Sequence, residues 1–435
     1  MIKIINSTKK KNLNKFKKII HKRSIIDDKL NKAVRNIINN VKKYGDKSLI
    51  YYEKKFNDNI KIIPSNKDIE KSIKSLDLKI KKEIFYTYKR IFKWHKLQKV
   101  KNITYKDTYG NKFSYITKPI KNVACYCPYN LPSSALMNCI PASIAGVKRI
   151  VLATPAIGGK LNSAVMYAAR LCGVKEIINI SGAGAIAALA YGTKTIKPVD
   201  LIVGPGSSYV ASAKRILSAN NMIAQERMFA GESEIVCWAD NSVTADQISY
   251  SLLAQAEHSE GVMAVMISKD LNLIKKVKSK IEKNIKNLPR KKIISKSLRK
   301  YGALIYCKTD KDILDLIEYL SPEHLELSIK NYKKYLYKLD NKLSNIGSIA
   351  AGPNSSMALS DYGPTQHSLP TSTTARYSGG LKVADFIKQI SINELSSKGL
   401  KFLSTFILGS MGGSNLFEYG ISKLDFVSKS IAGVT

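Results

Sequence analysis

Three short segments of this chain place a histidine beside a carboxylate or an amide. They are Gln255–His258, Glu323–His324 and the stretch from Asp361 to His367, and the chain has only 5 histidines in total. Metal ligation and proton transfer use this combination, because imidazole titrates near neutral pH and carries a nitrogen lone pair. The three segments are therefore the first candidates for a functional site.

Gln255 and His258 lie at the end of a helix predicted over residues 243–256. Side chains three residues apart share one face of a helix, so the amide oxygen and an imidazole nitrogen could meet one cation. Zinc favours nitrogen donors and also accepts oxygen. A buried histidine packed beside a glutamine explains the pair about equally well.

Glu323 and His324 follow Pro322, a residue tolerated in the first turn of a helix. This order predicts that both side chains lie at a helix amino terminus, where the carboxylate could activate water and the imidazole could take a proton. A glutamate that only stabilises the helix dipole is an equal alternative. Asp361 stands in a Ser-Asp-Tyr-Gly-Pro loop, and for it alone an Asx turn is the favoured interpretation.

A glycine pattern, Gly182-Ala183-Gly184-Ala185-Ile186-Ala187, follows one predicted strand and opens a predicted helix. This arrangement is similar to the loop that cradles a dinucleotide phosphate. Without further motifs, an ordinary strand-to-helix turn is the favoured alternative.

The elements that must position these residues alternate between strand and helix. Short apolar segments at 123–126, 149–153, 176–181 and 200–203, and again at 235–239, 262–267, 303–306 and 348–350, are separated by helical patterns. Such alternation predicts an α/β protein with two similar parallel-sheet halves. Residues 1–100 read as helices, residues 105–120 as a hairpin around Gly110-Asn111, and the chain beyond about 385 as mostly helical.

Composition narrows the class of protein. The chain has 435 residues, 44% hydrophobic, and 6 cysteines without Cys-x-x-Cys spacing, which indicates a reducing, cytoplasmic environment. The net charge of +38 comes mainly from scattered lysines and predicts only weak, salt-sensitive adhesion to polyanions, with no specific nucleic-acid partner. No apolar stretch reaches the roughly 20 residues of a membrane span.

Several ordered motifs together resemble the histidinol dehydrogenase family. They include Leu171-Cys172-Gly173-Val174, Gly204-Pro205-Gly206, Ala230-Gly231-Glu232-Ser233-Glu234, the Gln255/His258 segment, Pro322-Glu323-His324-Leu325 and His367-x-Leu369-Pro370-Thr371. The resemblance implies oxidation of L-histidinol to L-histidine, the last step of histidine biosynthesis, in two NAD-dependent steps through an aldehyde. It also implies a zinc ion and a homodimer whose carboxyl-terminal tail reaches the neighbouring subunit.

The resemblance also assigns roles. Glu323 and His324 fall on the catalytic pair, and Gln255, His258 and Asp361 fall on metal-ligand positions. The positions implied for substrate binding are Ser233, Gln255, His258, His324, Asp361 and Glu418. Those implied for the cofactor are Tyr126, Gly184 and Ser207. The implied organisation is two Rossmann-like domains, 25–125 with 233–385 and 126–232, flanked by helical extensions at 1–24 and 386–435.

The chain departs from the family at several of these positions. Gly184 and Ser207 replace an amide side chain each, and the loop around Tyr126 is shorter than in the family. No histidine follows His367. An ungapped register of the resemblance puts Ser414 and Tyr419 at the family's tail positions, and a shifted register brings in Glu418. These departures keep a second hypothesis open: a paralogue for another small hydroxylated substrate, or a ligand-binding protein that has lost NAD chemistry.

Overall fold

The computed structural model describes residues 2–23, 28–227, 231–336, 343–358, 363–400 and 402. These residues form three sheets. One compact unit, Met1–Gln98 with Ile120–Phe386, contains two parallel sheets. A second unit, built on Lys99–Pro119 and the chain from Ile387, contains an antiparallel sheet.

The first parallel sheet has six strands, all paired in parallel. In spatial order they are β1 (Lys3–Asn6), β11 (Ala303–Tyr306), β10 (Met263–Ser268), β9 (Glu234–Ala239), β12 (His324–Ser328) and β13 (Ser348–Ala351). Alternate side chains of β9 pack on opposite faces: Val236 and Trp238 on one, Ile235 and Cys237 on the other. Helices cover both faces, which is why the inner strands are continuously buried.

The second parallel sheet has five strands and the same construction. In spatial order they are β6 (Glu176–Ile178), β5 (Arg149–Ala153), β4 (Asn122–Tyr126), β7 (Leu201–Val203) and β8 (Ala224–Gln225). The antiparallel sheet joins β14 (Ile387–Glu394), β3 (Lys112–Pro119) and β2 (Ile103–Lys106). Its β2–β3 hairpin turns at Gly110-Asn111, as the sequence predicts.

Helices connect and cover these strands. They are α1 (Lys10–Arg23), α2 (Asp28–Tyr44), α3 (Asp46–Asn57), α4 (Asn66–Lys74), α5 (Leu78–Lys96), α6 (Pro132–Ala145), α7 (Ser163–Leu171), α8 (Gly182–Tyr191), α9 (Ser208–Ala219), α10 (Ala245–Ala256), α11 (Leu271–Asn284), α12 (Lys291–Tyr301), α13 (Asp310–Leu320) and α14 (Lys333–Leu336), with 3₁₀ turns at Ile285–Asn287, Thr374–Arg376 and Val383–Phe386. Within the described residues, no helix combines the length and apolar character needed to cross a membrane. The α/β fold with two similar parallel sheets is confirmed.

The structure corrects the grouping of residues 25–125 with 233–385. The apolar stripe of α2, including Val34, Ile38 and Val41, is buried against α8 and α9 of the five-stranded sheet. Strand β4 belongs to that sheet as well. The helical periodicity of α2 defined which face is buried, but it carried no information about which sheet covers it.

Two terminal predictions are also wrong in part. The sequence predicts helix over residues 1–24, yet Lys3–Asn6 forms a strand paired with Ala303–Tyr306. It also predicts mostly helix from 386, yet Ile387–Glu394 forms an eight-residue strand paired with β3, and residues 403–435 lie outside the described residues. Both segments contain isoleucines, whose branched side chains suit extended backbone, and a paired strand far away in sequence fixes that conformation.

Candidate active site

The pair Glu323–His324 stands at the amino end of a strand, not of a helix. Helix α13 ends at Leu320, Ser321 adopts left-handed backbone, and β12 begins at His324. Pro322 therefore stops one helix instead of starting another. The alternation His324-Leu325-Glu326-Leu327-Ser328 was the available signal for this strand, because Leu325 and Leu327 both face the core.

Strands β12 and β9 are neighbours, so Glu323 meets Glu234 across the edge of the sheet. The Glu234 N–H donates to Glu323 Oε2 at 2.9 Å, and the Glu323 N–H donates to Glu234 Oε2 at 3.3 Å. Each carboxylate thus accepts a hydrogen bond from the main-chain N–H of the other residue, just before the main-chain pairing of β9 and β12 begins. This exchange fixes the Glu323 carboxylate beside His324, whose Nε2 lies 3.8 Å from Glu323 Oε1.

Gly347 allows β13 to approach this pair closely. The Gly347 N–H donates to Pro322 O at 3.0 Å, and the Ser348 N–H donates to Glu323 O at 2.9 Å. A Cβ at position 347 would lie 2.6 Å from the Glu323 carbonyl oxygen. The backbone of Glu323 is therefore held from both neighbouring strands.

Arg23, the last residue of α1, supplies the counter-charge for Glu234. The two side chains form an ion pair that is almost completely buried, at 4% and 2% exposure. The Ser372 N–H also donates to Glu234 Oε1 at 3.0 Å. Burial raises the pKa of the Glu234 carboxyl, and the Arg23 guanidinium opposes that rise.

Gln255 and His258 lie at the carboxyl end of α10, as the sequence predicts for the helix. His258 Nδ1 is 3.1 Å from the carbonyl oxygens of Ala254 and Gln255, so it carries the proton and donates. The Nε2 lone pair then remains available to a ligand. Gln255 is 2% exposed, and within the described structure its buried Oε1 has no hydrogen-bond partner.

This donor set suits a metal ion. An orphaned amide oxygen costs free energy unless a cation or another donor satisfies it, and it sits one helical turn from an available imidazole nitrogen. Among the described residues, no group of three or more His, Cys, Asp or Glu side chains could hold a metal. Asp361 and Glu418 lie outside the described residues.

Ser233 and His258 line one cleft of about 870 Å³, together with Tyr126 and Ser207. The cleft meets the amino edge of the six-stranded sheet and the carboxyl edge of the five-stranded sheet, since Ser233 precedes β9 and Tyr126 ends β4. The cleft thus brings together His258, Ser233, Tyr126 and Ser207, whereas Gln255, Glu323 and His324 are not among the residues that line it.

The three predicted cofactor residues also share a smaller cavity. Tyr126, Gly184 and Ser207 line a space of about 390 Å³ beside the amino terminus of α8. The Gly182 N–H donates to the Tyr126 hydroxyl at 3.3 Å. Burial raises the pKa of Tyr126 to about 12, so its phenol is neutral at physiological pH.

Glu53 is a residue of this cavity that no sequence motif indicated. Its Oε1 accepts the Ser181 N–H at 2.7 Å and the Ser181 hydroxyl at 2.9 Å, directly before α8. The Gly182–Ala187 pattern does follow a strand and open a helix, as predicted. However, the Glu53 carboxylate already accepts the Ser181 N–H directly before this helix, so that N–H is not available to a phosphate.

His367 lies in a segment that packs on α6. Its Nε2 is 3.3 Å from the Ser134 hydroxyl, and the neighbouring Gln366 donates to Met137 O at 2.9 Å. The adjoining Thr371 hydroxyl accepts the Gly231 N–H at 2.7 Å. This segment therefore contacts both the five-stranded half and the loop that carries Ser233.

Comparison with known proteins identifies the family. The histidinol dehydrogenase family model matches residues 20–409. Histidinol dehydrogenase of Pelagibacter ubique is 46% identical, covering 94% of this chain and 95% of that protein, and that of Mesorhizobium japonicum is 37% identical, covering 92% and 93%. The crystal structure of histidinol dehydrogenase from Elizabethkingia anophelis superimposes with a TM-score of 0.85 at 31% identity and covers 94% of each chain. The chain belongs to the histidinol dehydrogenase family, whose members are oxidoreductases of histidine biosynthesis.

Proposed function

We propose that this protein oxidises L-histidinol to L-histidine in two NAD-dependent steps, with the aldehyde as intermediate. The observation that carries the proposal is a chain of contacts around the cleft. Arg23 bonds to Gly261 O in the loop after His258 and pairs with Glu234, which exchanges hydrogen bonds with Glu323. The proposed metal ligand and the proposed catalytic pair are thereby tied to one another.

The chain's own residues account for the proton transfers. In the first oxidation, His324 accepts the proton of the substrate's hydroxyl group as hydride leaves the carbon that carries this group. In the second, Glu323 accepts a proton from a water whose oxygen forms a bond to the aldehyde carbon. Hydride then leaves the hydrated carbon, and the carboxylic acid that results gives its remaining proton to solvent to form the carboxylate product. Each oxidation transfers two electrons, so one histidinol reduces two NAD.

Gln255 and His258 would hold a zinc ion together with Asp361, and Glu418 from the tail would complete the substrate-binding set. When bound, zinc would orient the substrate's polar atoms and stabilise negative charge that develops on its oxygen. The orphaned Gln255 oxygen and the Nδ1–H donation of His258 support this assignment. Ser233, beside the cleft, would contact the substrate.

Tyr126, Gly184 and Ser207 would hold NAD. Their common cavity supports this assignment, since it opens beside the cleft that Ser233 and His258 line. The neutral Tyr126 phenol can donate a hydrogen bond to a polar group of the cofactor without introducing charge.

The active protein is proposed to be a homodimer in the cytoplasm. Size-exclusion chromatography with light scattering would test whether it is a dimer.

The decisive experiment combines purified protein with zinc, NAD and L-histidinol and follows NADH. We expect two NADH for each histidinol consumed. Folded protein that makes no NADH at any zinc or NAD concentration would rule the proposal out. Tight histidinol binding without NADH formation would instead indicate a ligand-binding protein.

A further inference from the structure

Each of the three guanidinium nitrogens of Arg23 has a hydrogen-bond partner, although Arg23 belongs to no sequence motif described above. Its Nε donates to Gly261 O at 2.6 Å, and its Nη2 donates to Ser233 O at 3.0 Å and to Glu232 O. Its Nη1 pairs with the Glu234 carboxylate. One planar guanidinium thus joins the amino ends of β9 and β10, where the loops that carry Ser233 and His258 meet the sheet.

We propose that Arg23 is a positioning residue for the dehydrogenase chemistry, acting on Glu323 through Glu234. The proposal rests on the proposed function of Glu323 in aldehyde oxidation. Among the contacts of the described residues, Arg23 reaches Glu323 through the Glu234 carboxylate. Its effect should therefore fall on the step that needs the Glu323 carboxylate in place.

The physical reason is the isolation of the Glu234 carboxylate from water. A buried carboxylate without a counter-charge is strongly destabilised, so it takes up a proton or moves. Either change weakens Glu234 as the acceptor for the N–H groups of Glu323 and Ser372. The Glu323 backbone then loses one restraint, and its carboxylate loses the fixed partner N–H of Glu234.

Arg149 provides a matched control in the other half of the same unit. It pairs with Glu176 through two hydrogen bonds of 2.8 Å and donates to the carbonyl oxygens of Pro198 and Lys197 at 2.7 and 3.0 Å. It therefore has a carboxylate and main-chain acceptors, as Arg23 has. Arg149 starts β5 and takes no part in the proposed site.

The experiment compares Arg23→Gln with Arg149→Gln in two separate assays, NADH from histidinol and NADH from supplied histidinal. For Arg23→Gln we expect the rate of histidinal oxidation to fall roughly 10- to 100-fold, the usual range for loss of a residue that orients a functional group. The rate of the first oxidation and the KM for histidinol should change by less. Arg149→Gln should leave the ratio of the two rates unchanged. Equal loss of both oxidations in Arg23→Gln would overturn the positioning role.

A double variant tests the route through Glu323. Once Glu323→Gln has removed the carboxylate, adding Arg23→Gln should lower histidinal oxidation no further, because the two changes act on one unit. Additive losses would overturn the proposal. If Arg23→Gln does not fold, Arg23→Lys keeps a charge for Glu234 and should show the same selective loss in smaller degree.

The two failures can be told apart. A wild-type protein that oxidises neither compound disproves the proposed function, and the positioning is then judged from crystal structures of wild type and Arg23→Gln. Displacement of the Glu323 carboxylate from the Glu234 N–H supports it, and an unmoved carboxylate overturns it.

Discussion

At the scale of residues, the site depends on polar atoms held by the backbone of a neighbouring element. Glu323 is fixed by a main-chain N–H of β9, and His258 is oriented by carbonyls of its own helix. Gln255 is the exception, because its buried oxygen has no such partner within the described structure. The predictions at this scale concern His324, which adjoins Glu323, and Gln255.

Replacing His324 with alanine should lower turnover far more than it weakens substrate binding. Loss of a general base typically costs roughly 10²- to 10⁴-fold in rate, whereas binding retains the contacts of the other residues. Steady-state kinetics and calorimetric titration of histidinol would measure the two effects. Equal losses in kcat and binding would argue against a base at this position.

Replacing Gln255 with leucine should lower zinc affinity by about tenfold or more, since it removes a proposed ligand oxygen while filling similar space. Competition with a zinc chelator measures this without any assay of activity. Gln247→Leu, at the other end of α10, is the control: it removes a capping-box contact of Thr244 and should affect stability alone. Unchanged zinc affinity in Gln255→Leu would exclude the residue as a ligand.

At the scale of elements, close approach of the backbone positions the proposed catalytic pair. Strand β13 reaches Glu323 only because residue 347 has no side chain. Helix α8 begins beside the Glu53 carboxylate of α3. Both contacts join separate elements. Substitutions at Gly347 and Glu53 should therefore alter the contacts while each helix and strand still forms.

Gly347→Ala should destabilise the protein by about 1–3 kcal/mol and reduce activity further than stability alone explains. The added Cβ overlaps the Glu323 carbonyl oxygen, so β12 and β13 must separate at the proposed catalytic pair. Gly379→Ala is the control, because its Cβ would meet nothing closer than the Lys382 side chain at 4.0 Å. Urea unfolding and NADH assays would show whether only the first substitution has an effect.

Glu53→Gln should change how stability depends on pH. Burial raises the pKa of Glu53, so the folded state holds its proton more tightly than the unfolded state. The wild type therefore loses stability as pH rises from the unfolded pKa, near 4.5, through the raised folded value. The variant lacks this loss, and its free energy of unfolding relative to wild type should rise across that window.

Urea unfolding at pH 5 and pH 8 measures the difference. The exposed Glu83→Gln, on α5, serves as the control and should show no comparable trend. A stability difference between Glu53→Gln and wild type that is the same at both pH values would contradict the assignment.

At the scale of the whole molecule, the charge of +38 is the dominant property. Lysines are spread over helices and loops of both units, and they form no motif of the kind that recognises a nucleic-acid sequence. The charge attracts polyanions without selecting a sequence. It therefore predicts a property of the surface, separate from the catalytic chemistry.

The protein should bind heparin and DNA at low ionic strength and release both at moderate salt. Counterion release makes such binding fall steeply with salt concentration, by orders of magnitude between about 50 and 200 mM. Fluorescence anisotropy with unrelated DNA sequences measures both the salt slope and the preference. Selective binding to one sequence at physiological salt would revive a nucleic-acid function.

The sequence by itself determined the fold class and the family, and it indicated the residues of the proposed site. Strand and helix periods are local properties, and motifs such as Pro322-Glu323-His324 and the Gln255/His258 segment can be recognised wherever they lie in the fold. Only the tertiary structure decided that β12 starts at His324, that α2 packs on the five-stranded sheet, and that Arg23 reaches Glu234. Those outcomes depend on partners distant in sequence, 89 residues apart for Glu234 and Glu323 and 211 for Arg23 and Glu234. No local pattern specifies which distant group will cover a buried face or neutralise a buried charge.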